Sequence, residues 1–250
     1  MFRIRIQNKK KCIWYCSAVV SFLLFLLLLG WTNHLANTQD AQQMAGRWSE
    51  KKDVAQISCF FSSKAEVTED TIQSFEYSLK NVLQEASITE TSENPSARLW
   101  VDAYSADGKI TLVNGKNTLD ANAIGIGGDF FMFHPLKLIT GAYFSGNDLM
   151  QDYCIIDQDA AWQLFGSNDV VGMTVYIGNV PHIVTGVVQR PDSRMDKAAG
   201  LNSTVVYVSY ETLSAYGTNN GINHYEIVMP NPVDEFAYGK VKEGIGIDEK

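Results

Sequence analysis

The strongest constraint in this sequence is one uninterrupted apolar segment near the N-terminus. Residues Ile13–Trp31 carry no charged side chain, and residues 22–29 at the centre read FLLFLLLL. At about 1.5 Å of rise per residue, a helix of this length spans about 28 Å, close to the hydrocarbon thickness of a bilayer. A helix in a soluble domain would show a polar face, which this segment lacks. The pattern therefore predicts a transmembrane helix over residues 13–31.

The charges that flank this segment predict its direction. The first acidic residue is Asp40, and the basic residues that precede the segment are Arg3, Arg5, Lys9, Lys10 and Lys11. Basic residues stay on the cytoplasmic side, so residues 1–12 are predicted to be a cytoplasmic tail and the bulk of the chain to be extracytoplasmic. The alternative is a cleaved signal peptide. The apolar run is longer than the usual roughly 7–15 residues and no A-x-A site follows it, which favours an uncleaved single-pass anchor in the cell membrane, in contact with lipid.

The charge of the remaining chain excludes one class of partner. Five of the 20 basic residues precede the span, which leaves 15 basic against 28 acidic residues after it, a formal charge of −13. A nucleic-acid backbone would be repelled by this balance, and no basic stripe offsets it locally. We therefore expect no nucleic-acid partner.

Periodicity and turn signals predict a mixture of helices and strands. Polar residues 32–50 are predicted to continue the span as a stalk helix. A strand over residues 54–61 precedes an amphipathic helix that begins at the N-cap Thr68 and ends near Ala86. Strands over 97–104 and 110–113 are joined at Asp107-Gly108, which is a hairpin turn signal. Further strands are predicted at 154–157, 175–177, 182–188, 205–208 and 225–229, with helices at 157–165, at 210–216 and from Pro232 onward.

The sequence lacks three common catalytic or nucleotide-binding motifs. There is no G-x-x-x-x-G-K-[ST], no G-x-S-x-G, and the glycine cluster at residues 124–129 lacks the dinucleotide-binding spacing. The four histidines are far apart: His34, His134, His182 and His224. We predict neither catalysis nor a bound cofactor or metal. A single disulfide between Cys59 and Cys154 is left open by their spacing.

The middle of the chain carries an ordered series of short motifs. They are Phe130, residues 138–144 (LITGAYF), residues 159–166 (DAAWQLFG), residues 170–175 (VVGMTV) and residues 184–188 (VTGVV). This series resembles the MacB-like periplasmic core domain of bacterial ABC transporter permeases, within the FtsX-like permease family. The resemblance covers residues 13 to 245 and is densest over 130–188.

The resemblance implies an α+β fold with two subdomains after the stalk. A mixed α/β, porter-like subdomain would consist of residues 51–121 and 199–250, and a mostly-β subdomain would be inserted at residues 122–198. Ala142 stands where the family usually has arginine. Family permeases also continue into three further membrane helices, so this sequence leaves open a fragment, a split permease or a stand-alone relative.

The resemblance also implies partners. Family members act as dimers with a P-loop ATPase, so we expect a second permease copy and an ATPase subunit. In the stalk, Gln39, Met44 and Trp48 are candidate contacts for the second copy. In the polar loop 189–202, the candidates for substrate or partner contact are Arg190, Asp192 and Arg194. The alternative for both groups is ordinary solvated surface.

Three functions compete on these observations. The first is the non-catalytic extracytoplasmic core domain of an ABC transporter permease, which couples cytoplasmic ATP hydrolysis to export or handling of an extracytoplasmic substrate. The second is a single-pass, membrane-anchored binding or sensing module without transport. The third is a membrane-tethered enzyme, for which the sequence offers no acid, base or nucleophile set.

Overall fold

The first part of the chain is one long helix. The computed structural model of the chain describes residues 2–49, 53–89, 98–191, 194–198 and 202–246, which divide into two compact units, residues 1–43 and 44–250. In the first unit, helix α1 (Phe2–Asn37) contains the segment Ile13–Asn37, which has 25 residues and a mean hydropathy of 2.3. No side chain of its most apolar stretch is buried by the rest of the protein. Among the described residues, this is the one helix long and apolar enough to cross a membrane.

The stalk differs from the single helix predicted over residues 32–50. Helix α1 ends at Asn37, and a 3-10 turn follows at Asp40–Gln42. The Thr38 hydroxyl donates to the Leu35 carbonyl at 2.8 Å, a local bond that competes with continuation of the helix. The second short helix, α2 (Met44–Trp48), belongs to the second unit. The polar residues between them lack the buried apolar face that would extend one helix through this region.

The second unit is built on a mixed sheet. Its ten strands in the described part of the chain are β1 (Val54–Phe60), β2 (Val101–Asn114), β3 (Asn117–Gly128), β4 (Leu138–Gly141), β5 (Tyr153–Asp157), β6 (Thr174–Ile177), β7 (Val180–Val188), β8 (Val205–Ser209), β9 (Thr218–Asn219) and β10 (His224–Pro230). The order is β1-β10-β2-β3-β8-β5-β7-β4, with β6 paired to β2 and β7, and β9 paired to β2. The β3–β8 and β5–β7 pairs are parallel and the others antiparallel.

The remaining helices connect these strands. They are α3 (Glu69–Glu85), α4 (Phe130–Phe133), α5 (Gln158–Phe165), α6 (Arg194–Ala198), α7 (Tyr210–Tyr216) and α8 (Phe236–Ile245). Thr68 caps α3 by accepting from the Thr71 N–H, and Gly166 ends α5 in the left-handed conformation, at φ 72°. The predicted α+β class is confirmed.

Alternating side chains of the sheet pack against helices on both faces. On β10, Tyr225 and Ile227 point to the face covered by α3 and α8, whereas Val228 points to the opposite face. Farther along the first face, Ala160 of α5 and Leu213 of α7 join one hydrophobic cluster. Helices α2 and α4 contribute to the cluster on the opposite face. The sheet is therefore buried on both sides, with its two largest clusters on one face.

The predicted subdomain boundary at residues 121 and 122 falls within a strand. Strand β3 pairs with β2 without interruption from Asn117 to Gly128. The same sheet continues through the strands of the predicted insert, 122–198. The division into a porter-like subdomain and an inserted subdomain stays a prediction.

The hairpin turn predicted at Asp107-Gly108 is wrong. Strand β2 continues through both residues, and the chain turns at Gly115-Lys116 instead, between the paired residues Asn114 and Asn117. Gly108 pairs with Ala123 on one side and with Asn219 of β9 on the other. A side chain there would overlap the Thr218 carbonyl oxygen. The glycine therefore allows β9 to approach closely. This close approach, and not a turn, accounts for a glycine at residue 108.

The two cysteines in the second unit are free thiols. Cys59 and Cys154 are both buried, and they lie in different hydrophobic clusters. Burial raises the pKa of Cys59 to about 11 and that of Cys154 to about 12. Both thiols therefore stay protonated at neutral pH and pack as small apolar side chains.

We predict opposite stability changes for one substitution at two glycines. Gly108→Ala should destabilise the second unit by about 1–3 kcal/mol, because the added methyl group has no space beside β9. Gly239→Ala in α8 meets nothing within 4 Å and should stabilise by up to about 1 kcal/mol through helix propensity. Urea unfolding of the full chain in detergent measures both. Equal effects would contradict the close approach of β9.

Candidate functional site

Two of the predicted stalk contacts lie on α2. Met44 is only 2% exposed and packs with Phe133 and Val228. Trp48 is partly buried against the same cluster, and the Arg98 guanidinium lies 5.9 Å from the centre of its ring. The prediction of Met44 as a surface contact is thus corrected, because its side chain fills the core of its own domain. Trp48 retains a partly exposed ring.

Hydrogen bonds fix α2 to the sheet. The Gln56 side-chain oxygen accepts from the backbone N–H groups of Met44 and Ala45 at 3.0 and 3.4 Å. The Arg47 guanidinium donates to the carbonyl oxygens of Met132 and Phe133 at 2.6 and 3.4 Å. Helix α2 is therefore tied to β1 and to α4.

The other predicted contacts are dispersed. Gln39 is exposed in the first unit, directly before the 3-10 turn. Arg194 is exposed at the start of α6. Asp192 lies outside the described residues. Within the second unit, Arg194 and Trp48 lie on different elements, α6 and α2.

Arg190 is held by a set of acceptors. Its guanidinium donates to Asp157 Oδ2 through Nε at 3.0 Å and Nη2 at 2.8 Å. Nη2 also donates to the Thr204 hydroxyl at 2.8 Å, and Nη1 lies 2.5 Å from Asp159 Oδ2. Two charge-assisted hydrogen bonds from one guanidinium to a single carboxylate oxygen fix both side chains. Arg190 thus anchors the first residues of the predicted loop.

Asp157 is the centre of this network. It is 2% exposed, and its Oδ1 accepts from the Ala160 N–H at 2.8 Å, which caps α5. Its Oδ2 accepts from Arg190 and from the Val205 N–H at 3.1 Å. A buried carboxylate requires such partners. The sequence indicated the cap but not the arginine or the strand amide.

A groove of about 690 Å³ opens beside this network. Apolar side chains form most of its wall, including Leu136, Val188 and Tyr207. Its charged lining residues balance, two basic and two acidic: Lys137, Arg190, Asp107 and Asp157. Residues 189–191 and Ser203 line it from the two ends of the predicted polar loop. The groove combines an apolar surface with a few polar groups, the composition typical of ligand sites.

A second cavity of about 600 Å³ lies between α3 and the sheet. Glu76 of α3 and Asp102 of β2 both line it. Burial is the main cause that raises the pKa of both carboxyls, with Asp102 reaching about 8. Tyr225 donates to Asp102 Oδ2 at 3.0 Å, and the Tyr104 hydroxyl donates to Glu69 at 2.9 Å.

Sequence reasoning missed this acidic pair. Glu76 follows Ile72 by four residues and precedes Leu79 by three, so it shares the buried face of α3. A charged residue on that face was the available signal. Asp102 gave no such signal, because a polar residue between the buried residues Val101 and Ala103 is the ordinary alternation of a strand with one exposed face.

The histidines serve separate structural contacts. His134 pairs with Glu226 and stacks on Phe130. His182 is buried, with Nδ1 3.0 Å from the Val180 carbonyl oxygen and Nε2 3.1 Å from the Thr212 hydroxyl. Burial lowers the pKa of His182. Among the described residues, no three histidine, cysteine or acidic side chains are grouped to hold a metal ion.

Comparison with known proteins gives matches to one transporter family. The model of the MacB-like periplasmic core domain family matches residues 20–249. A macrolide export ATP-binding/permease protein MacB from Shewanella sp. strain W3-18-1 is 31% identical over 161 residues, which are 60% of this chain and 24% of that protein. The protein of the same name from Chromobacterium violaceum is 32% identical over 99 residues, 39% of this chain and 15% of that protein. The chain thus spans a quarter or less of these relatives.

Two solved structures also resemble the chain. The extracellular domain of the noncanonic ABC-type transporter YknZ from Gram-positive bacteria is 19% identical, with a TM-score of 0.46, and the alignment covers 76% of this chain and 90% of that one. The periplasmic region of MacB from Actinobacillus actinomycetemcomitans is 23% identical, with a TM-score of 0.44 and coverage of 62% and 72%.

We predict that Asp157, and not its neighbour Asp159, holds this region together. Asp157→Ala should cost about 2–4 kcal/mol, because it removes a helix cap and leaves Arg190 and the Val205 N–H without their acceptor. Asp159→Ala should cost less than about 1 kcal/mol, because the Asp159 side chain is 45% exposed. Urea unfolding of the two variants compares them. Similar losses for both would show that the buried network is not the source of stability.

Proposed function

The chain belongs to the MacB-like periplasmic core domain family, and from this membership we propose that it acts as the extracytoplasmic core domain of an ABC transporter permease. The observation that carries the proposal is the extent of the family match, which begins within α1 and continues past α8. The anchor and the second unit are thus matched together. One apolar helix followed by a large acidic domain agrees with this role.

In this role the chain is non-catalytic. It couples ATP hydrolysis in the cytoplasm to export or handling of an extracytoplasmic substrate. The ATP-binding function lies outside these 250 residues, on a P-loop ATPase, since the sequence holds no phosphate-binding loop motif. A second permease copy completes the assembly, with Gln39 and the exposed part of Trp48 as candidate contacts.

The groove beside Arg190 is the surface we assign to substrate or partner contact. Arg190 itself supports the groove wall, because its guanidinium is bound to Asp157, Asp159 and Thr204. Exposed Arg194 and the sequence neighbour Asp192 would extend the contact beyond the groove. The apolar wall favours a substrate with a hydrophobic surface.

The alternative is a membrane-anchored binding or sensing module without transport. The groove of about 690 Å³ favours it, because a ligand site needs no ATPase to function. A transporter component requires an ATPase and a second permease copy, whereas a binding module requires neither. Identifying the proteins that accompany the chain therefore distinguishes the two functions.

We predict that an ATPase accompanies the native protein. When the tagged chain is purified in mild detergent from its own host, mass spectrometry should detect a P-loop ATPase together with peptides of a multi-span permease. The control is an unrelated single-pass membrane protein that carries the same tag, which should recover neither. Recovery of the chain alone, or with exported proteins only, would overturn the transport proposal in favour of the binding module.

We predict that the N-terminus is cytoplasmic and the second unit extracytoplasmic. Leu149 is fully exposed, so Leu149→Cys should react with a membrane-impermeant maleimide on spheroplasts. Lys11→Cys should react only after the membrane is opened. The wild-type chain measures the background from its own cysteines. Labelling of Lys11→Cys in intact spheroplasts would reverse the proposed orientation.

A further inference from the structure

The two edges of the sheet are built differently. The sheet ends at β4 on one side and at β1 on the other, and among the described residues no strand pairs with either of them on the outer side. Strand β4 has four residues, its pairing with β7 shifts register between Leu138 and Thr140, and it ends at Gly141 with φ 87°. A short length and a bulge keep an edge strand from pairing with another chain. Strand β4 is therefore a protected edge.

Strand β1 lacks these protective features. Its seven residues, VAQISCF, include no charged residue and no proline. It pairs with β10 over its whole length, from Val54–Pro230 to Phe60–His224, without a shift in register. At its end, the Phe60 ring contacts His224 edge-on at 5.2 Å and is still 77% exposed. A regular, uncharged edge of this kind is a template for a further strand.

Two hydrogen bonds at the ends of β1 show which of its backbone groups point outward. The Phe61 N–H donates to the Asn223 carbonyl at 2.8 Å, and the Asp53 carbonyl accepts from the Asn231 N–H at 2.7 Å. Both bonds continue the β1–β10 register. Because hydrogen-bonded and non-hydrogen-bonded pairs alternate along an antiparallel ladder, the odd-numbered residues of β1 bond to β10. The N–H and C=O groups of its even-numbered residues therefore point toward the outer edge.

The side chains of β1 follow the same chemical order from either end. Each apolar residue has an apolar match on the other side of the centre, and the polar residue has a polar match. The matched positions are Val54 with Phe60, Ala55 with Cys59, and Gln56 with Ser58, around Ile57 at the centre. In an antiparallel pair of β1 strands related by a twofold axis at Ile57, even-numbered residues face even-numbered residues. Their outward backbone groups then form the hydrogen-bonded pairs of the new ladder.

The charge nearest in the sheet does not oppose such a pair. Glu226 of β10 faces Ser58 in the register. One oxygen of its carboxylate accepts from the Ser58 hydroxyl at 3.0 Å, and the other pairs with His134. Both oxygens are thus engaged within the same chain. Since β1 itself carries no charge, two copies of the strand meet without like-charge repulsion.

We propose that the outer edge of β1 pairs with β1 of a second copy of this chain and joins the two sheets into one. A second copy fits this edge because its own β1 has the matching length and the matching order of side chains. In this pair, Phe60 packs on the partner's Val54, a residue of the hydrophobic cluster that Trp48 also contacts. The edge is therefore continuous with a candidate contact named above. The inference rests on the proposed function only for the presence of a second copy.

Disulfide formation at residue 57 tests this interface in the full chain. Cys12 and Cys16 are replaced by serine so that α1 contributes no thiol, and Ile57→Cys is added. Residues opposite each other in a non-hydrogen-bonded antiparallel pair have Cα atoms about 4.5 Å apart, within the range of about 4.4–6.8 Å that a disulfide spans. Copper-catalysed oxidation in native membranes should therefore produce a disulfide-linked dimer on a non-reducing gel.

Asp53→Cys in the same background is the matched control. Asp53 directly precedes β1 and is exposed. In the proposed register, residue 53 faces residue 61 of the second copy, so the two copies of residue 53 lie about 27 Å apart at about 3.4 Å per residue. This variant should give no dimer. The chain with the two serine substitutions alone measures the background from Cys59 and Cys154.

Ser58→Pro tests the backbone bonds of the interface. The Ser58 N–H points to the outer edge, so proline removes a bond to the second copy and leaves the ladder with β10 intact. Combined with Ile57→Cys, it should lower the yield of dimer at least about tenfold, because two symmetry-related hydrogen bonds are lost. Ser58→Ala keeps the N–H and should leave the yield unchanged. If Ser58→Pro does not fold, Phe60→Glu decides, because it places a carboxylate against the partner's Val54.

Three outcomes would overturn the interface. The first is no dimer with Ile57→Cys; if the ATPase is still recovered with the chain, only the interface is rejected, and if both are missing, the proposed function is rejected as well. The second is equal dimer yield from Ile57→Cys and Asp53→Cys, which would indicate random collision. The third is a disulfide from Ile57→Cys to a different protein, which would show that another strand occupies the edge.

Discussion

The pairing of β2 with β3 is the interaction on which the second unit depends. The two strands pair without a break from Ala103–Gly128 to Asn114–Asn117. Strand β2 also pairs with β10, β6 and β9, and β3 pairs with β8. Every other strand is attached through one of these neighbours. Helices α5 and α7 contact both strands of this hairpin, whereas α3 and α8 pack on the neighbouring part of the sheet that β10 joins to it.

Local rules allowed some elements to be predicted and not others. Thr68 and Gly166 mark helix ends because their own side chain or backbone satisfies the neighbouring peptide groups, which needs no tertiary information. Strand β3 gave no such signal. Its residues 120–123 are aspartate, alanine, asparagine and alanine, which have weak β propensity. The strand forms because β2 pairs with it on one side and β8 on the other. Gly108 was wrongly predicted to lie in a turn because its pairing with β3 and β9 is likewise not visible in the local sequence.

The polar networks show what a sequence withholds about a site. Arg190 was selected as a surface contact from the composition of its loop, yet its partner Asp157 lies 33 residues earlier in the chain. The Glu76–Asp102 pair joins a helix and a strand, and Tyr225 reaches Asp102 across 123 residues. Of these residues, Glu76 alone had a visible signal, its position on the apolar face of α3. The identity of the partner depends on the strand order, which the resemblance implied only at the level of subdomains.

The domain stabilises its two buried carboxyl groups by different means. Asp157 is bound by an arginine, whose charge persists at every physiological pH. Asp102 accepts a hydrogen bond from the Tyr225 hydroxyl and lines one cavity together with Glu76, and burial is the main cause that raises its pKa to about 8. The end of the sheet that carries α5 is therefore fixed by permanent charges, whereas the buried carboxyl beside α3 is bound by a neutral hydroxyl group.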